Sequence, residues 1–87
     1  MAEPDAGLPE LVFVTRLDCG LCESFAAALA AWEAGRGRYR LTVLDVDADP
    51  ALNARWGLKV PVLLAGEREI CTFRFRAERL AAVLDAA

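Results

Sequence analysis

Thr15-Arg16-Leu17-Asp18-Cys19-Gly20-Leu21-Cys22 is the stretch whose reading decides the fold of this chain. It holds two of the three cysteines, separated by two residues. An apolar run, Leu11-Val12-Phe13-Val14, leads into it, and a helix-forming run from Glu23 to Glu33 leads out. The cysteine pair therefore falls where a strand hands over to a helix. The first N–H groups of a helix lack backbone partners and carry partial positive charge. A thiolate set against them is stabilised, which makes it a better nucleophile and a better leaving group at neutral pH. A second cysteine one helical turn on is placed to close a disulfide onto the first. Asp18, directly before Cys19, opposes a thiolate there, and Arg16 favours it.

The rest of the chain fits one small domain around that stretch. Its 87 residues suit a single core, 56% hydrophobic content fills it, and 26% charged residues solvate its surface. The net charge of -3 and the scattered basic residues give no nucleic-acid-binding face. Residues 1–9 read as a flexible lead-in broken by Pro4, Gly7 and Pro9, and residues 10–87 as the domain. The polar, acidic start lacks the pattern of a secretory signal, and no apolar run approaches the ~20 residues that span a bilayer. With three cysteines and no such signal, the expectation is a cytoplasmic monomer that binds neither membranes nor nucleic acids.

Outward from the motif, Glu10 to Thr15 is a buried strand. Gly20 to about Ala34 is a helix with Leu21, Phe25, Leu29 and Trp32 on its apolar face, closed by Gly35 and Gly37. Arg40 to Asp45 is a second strand, followed by a turn through Asp45-Val46-Asp47-Ala48-Asp49-Pro50. Asp49 is a natural N-cap and Pro50 a first helical residue for a short helix to Trp56, stopped by Gly57. Lys59 to Leu64 reads as a third strand, Ala65 to Arg68 as a turn, Glu69 to Phe75 as a fourth strand. A last helix runs from Arg76 or Ala77 to Ala86, with Leu80, Val83 and Leu84 inward. The order β-α-β-α-β-β-α makes an α/β fold: the first βαβ unit parallel by a right-handed crossover, the last two strands an antiparallel hairpin, helices on both faces of a four-stranded mixed sheet.

With these elements in place the chain resembles the thioredoxin fold, and within it the glutaredoxin-like branch, from Leu11 to Leu84. Three features carry the resemblance: the strand, Cys19-Gly20-Leu21-Cys22 and helix; the segment Trp56-Gly57-Leu58-Lys59-Val60-Pro61-Val62-Leu63; and the closing hairpin and helix. The resemblance implies that Cys19 attacks and Cys22 resolves. It implies that Pro61 follows a cis bond facing the sulfurs, and that Val60 offers its backbone N–H and C=O to an extended peptide or to glutathione. Arg16 falls where many glutaredoxins carry a lysine for a glutathione carboxylate. Glutaredoxins usually have two glycines and acidic residues after the fourth strand, where this chain has Thr72-Phe73-Arg74-Phe75-Arg76. Weak glutathione binding is the corresponding expectation.

The function so implied is a thiol–disulfide oxidoreductase that reduces protein disulfides or glutathione mixed disulfides, with no resident cofactor or metal and with glutathione as an electron donor. Two alternatives stand beside it: a non-enzymatic peptide-binding module, and an iron–sulfur carrier using Cys19 from two chains with external thiols. Histidine is absent, and Cys19, Cys22 and Cys71 are too few for a four-ligand zinc site. Cys71, between Ile70 and Thr72, is expected to be a buried free thiol.

Overall fold

Alternation within two strands separates the core into two halves. In β1, Glu10–Thr15, Leu11 and Phe13 enter one hydrophobic cluster while Val12 and Val14 enter the other. In β3, Val62–Ala65, Leu63 and Ala65 join the first cluster while Val62 and Leu64 join the second. Successive strand side chains point to opposite faces, so each of these strands is apolar on both sides and central to the sheet. The computed structural model describes residues 8–36 and 39–86. Most of the lead-in expected over residues 1–9 lies outside them, as does Gly37.

The described elements are β1, then helix α1 over Gly20–Arg36 and strand β2 over Arg40–Asp45. A 3-10 turn over Val46–Ala48 leads to α2, Pro50–Trp56; then come β3, β4 over Arg68–Thr72, and α3 over Ala77–Ala86. The sheet order is β2-β1-β3-β4. β1 and β2 are parallel, with Phe13 opposite Val43, and the two other pairs are antiparallel. This is the four-stranded mixed α/β architecture expected from the element order.

The first cluster joins Phe25 and Leu29 of α1 and Leu80 of α3 to one face of the sheet. Phe25 stacks on Phe13 with ring centroids 5.1 Å apart and meets Phe75 edge-on at 5.6 Å. The second cluster joins Cys22, Val46, Trp56 and Val60 to the other face, with Leu52 of α2 against it. Helices thus cover both faces. The edge strand β2 is the exception to burial, and exposes Leu41, Val43 and Leu44.

Several boundaries differ from the sequence reading. α1 continues through Gly35 to Arg36, beyond the expected end near Ala34. Its Leu21 is exposed rather than inward: it lines a groove against the Phe73–Phe75 segment, while the next residue, Cys22, is the one that packs into the core. The third strand, expected over Lys59 to Leu64, runs instead over Val62–Ala65, and Lys59 to Pro61 lie outside the ladder. β4 begins at Arg68 and stops at Thr72, short of Phe75. Phe73 adopts a left-handed φ of 69°, which turns the chain out of the ladder. The hairpin between β3 and β4 turns at Gly66-Glu67, with Gly66 at φ 63°, a conformation that glycine takes without steric cost. Among the described residues, no helix is long and apolar enough to cross a membrane.

Candidate functional site: a cysteine pair at a helix start

Cys19 occupies the N-cap of α1. Its carbonyl accepts the first helical hydrogen bond, from Glu23 N–H at 3.0 Å, and its Sγ accepts the N–H of Cys22 at 3.2 Å. That is the geometry in which a serine or aspartate side chain caps a helix, with sulfur in place of oxygen. The turn that delivers Cys19 there runs through Leu17 and Asp18. Asp18 has φ 56°, a left-handed conformation that aspartate tolerates better than most residues.

The two sulfurs differ in exposure. Cys19 is half-buried, whereas Cys22 is only 2% exposed and belongs to the core cluster beneath it. Burial pushes the Cys22 thiol up from its ordinary value, and its hydrogen bond with Cys19 adds to this. Hydrogen bonds from the Thr15 side chain and the Arg16 backbone offset part of the effect. Cys22 is thus a protonated thiol at neutral pH. Cys71 is buried on the other face of the sheet and is also free, as expected. Its Sγ lies 3.4 Å from the Arg76 N–H, and burial pushes its thiol up as well.

Val60 and Pro61 come to the same region. The bond between them is cis, as the resemblance implied, and Cys19 packs against the cluster that contains Val60. Two anchors hold the segment that precedes them. The Trp56 ring lies under the Arg55 guanidinium at 5.0 Å and the Lys59 ammonium at 5.6 Å, and Lys59 pairs with Glu69 of β4 at 3.4 Å. Gly57 closes α2 with its N–H on the Asn53 carbonyl at 2.7 Å. A Cβ at Gly57 would stand 2.5 Å from that carbonyl oxygen, so only glycine fits. On the other side, the Phe73 N–H donates to the Pro61 carbonyl at 2.9 Å.

Arg16 also reaches this region, but as part of a clamp that the sequence did not reveal. Its Nε and Nη2 donate to the two carboxylate oxygens of Asp47 at 2.8 and 3.1 Å, and its Nη1 donates to the Gly57 carbonyl at 3.1 Å. The guanidinium holds the Asp47 carboxyl below its ordinary range. Arg16 and Asp47 are 31 residues apart, and no local pattern signals their pairing. Phe73, in the stretch where glutaredoxins usually have two glycines, has a left-handed φ of 69°, which the sequence reading did not anticipate.

Exposed apolar side chains surround the motif. Leu17, Leu21, Leu58 and Phe73 are all exposed, Leu58 at 97%. A groove of about 230 Å³ runs between Leu21, Ser24 and Ala28 of α1 and the Phe73–Phe75 segment. Among the described residues, no group of three or more histidine, cysteine or acidic side chains is arranged to hold a metal ion.

A strand-to-helix cysteine pair beside a cis-proline segment, on a mixed sheet of this order, defines a protein of the thioredoxin fold. Comparison with known proteins takes the identification one step further. Residues 10–85 match the family model described as a glutaredoxin-like domain (DUF836), and the chain belongs to that family. No curated protein matches it. Among solved structures it is similar to the target protein XcR50 from X. campestris, with 41% identity, a TM-score of 0.66, and coverage of 88% of this chain and 97% of that one. It is also similar to protein Ne2328 from Nitrosomonas europaea, with 27% identity, a TM-score of 0.77, and coverage of 97% and 95%. Thioredoxin 1 from Thermosipho africanus, at 17% identity and a TM-score of 0.59 over 88% of this chain and 96% of that one, shares the fold.

Proposed function

We propose that this protein is a thiol–disulfide oxidoreductase that uses Cys19 and Cys22 to reduce disulfides in polypeptides. The observation that carries this reading is the pairing of a half-buried Cys19 Sγ, capped by the Cys22 N–H at 3.2 Å, with a buried thiol one turn behind it. The exposed and buried positions match the two roles that a dithiol mechanism requires.

In the first step the Cys19 thiolate attacks one sulfur of a substrate disulfide. A Cys19–substrate disulfide forms, the substrate S–S bond breaks, and the other substrate sulfur leaves as a thiolate that takes up a proton. In the second step Cys22 attacks the Cys19 sulfur as a thiolate, and the proton it gives up is taken by the departing substrate sulfur. The mixed disulfide breaks, the second substrate thiol is released, and Cys19 and Cys22 are left joined. Two electrons pass from the protein dithiol to the substrate. The burial that raises the Cys22 thiol also leaves Cys19 as the more accessible of the two for the first attack.

Polypeptide disulfides suit the surroundings better than small ones. The apolar rim of Leu17, Leu21, Leu58 and Phe73 offers burial to side chains flanking a substrate cysteine. Val60 offers its backbone beside the cis bond to an extended chain.

Two measurements test the reading together. Redox titration of the pair should follow a two-electron Nernst curve, with both thiols lost in one step. The reduced protein should then speed the reduction of insulin by dithiothreitol, and Cys19→Ser should abolish the effect. Insulin left intact while an extended peptide binds would instead make the protein a binding module.

A further inference from the structure

Arg16 is the one cation that the resemblance assigned to a substrate carboxylate, and it already holds a carboxylate of its own chain. The contact is fork on fork: Nε and Nη2 each donate to one Asp47 oxygen, at 2.8 and 3.1 Å. A guanidinium has two edges that can hold a carboxylate bidentately; Asp47 takes the Nε–Nη2 edge, so a second carboxylate has to displace it or share the Nη1–Nη2 edge with the partner of Nη1. Nη1 is turned away to the Gly57 carbonyl at 3.1 Å.

Asp47 is itself held in place. Its Oδ1 also accepts from Asn53 Nδ2 at 2.8 Å, and its backbone N–H donates to Asp45 Oδ1 at 2.9 Å. It therefore sits in a short 3-10 turn pinned to the end of β2 and to α2. The carboxylate reaches Arg16 with little ordering left to do, and at an effective concentration that a free ligand cannot match.

We infer that Asp47 is a specificity-determining residue: by occupying Arg16 it makes the Cys19–Cys22 site discriminate against disulfides recognised through a carboxylate, such as glutathione disulfide, and in favour of uncharged and polypeptide disulfides. This deepens the oxidoreductase reading above and rests on it for its effect on turnover. The charge around the motif acts in the same direction. Asp18 and Glu23 flank the cysteines in sequence and add negative charge on that side of the motif. The exposed apolar groups Leu17, Leu21, Leu58 and Phe73 offer nothing to a carboxylate, and the exposed Arg74 lies across the groove from Leu21, on the side of α1 away from the separate cavity that Arg16 lines.

The test compares two small disulfides, glutathione disulfide, which carries carboxylates, and 2-hydroxyethyl disulfide, which is uncharged. The ratio of their second-order rates with the reduced protein cancels any change in sulfur reactivity. Asp47→Asn keeps the shape of the side chain and should raise the ratio roughly two- to fivefold, corresponding to the modest strength of an exposed ion pair. Adding Arg16→Ala to Asp47→Asn should remove the gain. The same variants in a Cys19→Ser background, titrated calorimetrically with glutathione disulfide, report binding without exchange, and Asp47→Asn should tighten it by a similar factor. An unchanged ratio and unchanged binding in Asp47→Asn would overturn the inference, as would a several-fold fall in the ratio for Arg16→Ala alone. If neither disulfide oxidises the protein but Asp47→Asn still gains binding, the guarding role of Asp47 stands and the oxidoreductase reading falls.

Discussion

The backbone N–H of Cys22 points at the sulfur of Cys19 across 3.2 Å, so each cysteine of the motif has a structural role toward the other before any substrate arrives. Cys22 supplies a donor to the half-buried sulfur, and Cys19 caps the helix that carries Cys22 into the core. From this asymmetry a labelling order follows. Limiting iodoacetamide at neutral pH should modify Cys19 first, with Cys22 and Cys71 protected by burial and by their raised thiols. Mass mapping of the labelled peptides checks it, and preferential labelling of Cys71 would contradict the assignment.

The raised thiols also set a pH dependence for the reduced protein. Folding lifts Cys22 and Cys71 above the ordinary value of 9.0, so the folded state binds their protons more tightly than the unfolded chain does. The resulting stability is fully present below about pH 9 and is lost as pH rises from there through the folded values. Urea denaturation under reducing conditions at a series of alkaline pH values should show this decline, and Cys71→Ala should make it shallower. A stability that stays flat from pH 8 to pH 11 would contradict it.

Phe73 at φ 69° offers a test of backbone strain. A side chain in the left-handed region costs roughly 1–2 kcal/mol that glycine does not incur, and glycine loses about 0.5–1 kcal/mol of that advantage through the freedom of the unfolded chain. Comparing Phe73→Gly with Phe73→Ala removes the ring from both variants. The glycine variant should be the more stable by about 0.5–1 kcal/mol in denaturant titration. A more stable alanine variant would mean that the backbone does not hold this conformation.

Phe25 links the site to the core. It lies three residues beyond Cys22, is 2% exposed, stacks on Phe13 and meets Phe75 edge-on. Phe25→Ala should cost about 3–5 kcal/mol, a large part of the ~5–15 kcal/mol that holds a domain of this size. Urea midpoints of the two proteins check the value. A loss under about 1 kcal/mol would place Phe25 outside the core.

The parts of this molecule legible in its sequence are those set by local pattern. The apolar run of β1, the helical spacing of Phe25 and Leu29, and the Asp49-Pro50 helix start each depend on neighbours a few residues away, and each appears where expected. The strand ends were less legible, because apolarity alone does not distinguish pairing from packing. Val60 is buried like its neighbours in β3 but lies outside the ladder, and Phe75 packs on Phe25 after the chain has left β4. Leu21 has helical spacing with Phe25 and yet is exposed, because in the first turn of α1 it is Cys22 that packs into the core while Leu21 lines the groove beside Phe73. The Arg16–Asp47 pair was beyond reach, since it joins the exits of β1 and β2 through tertiary geometry.

The central claim is that Cys19 attacks and Cys22 resolves, and trapping tests it most directly. Reduced Cys22→Ser protein mixed with insulin should accumulate a mixed disulfide that intact-mass and peptide analysis place on Cys19. The unaltered protein should pass to the Cys19–Cys22 disulfide and release its substrate. An adduct on Cys71, or one that forms equally well in Cys19→Ser through Cys22, or no adduct in either variant, would contradict the account.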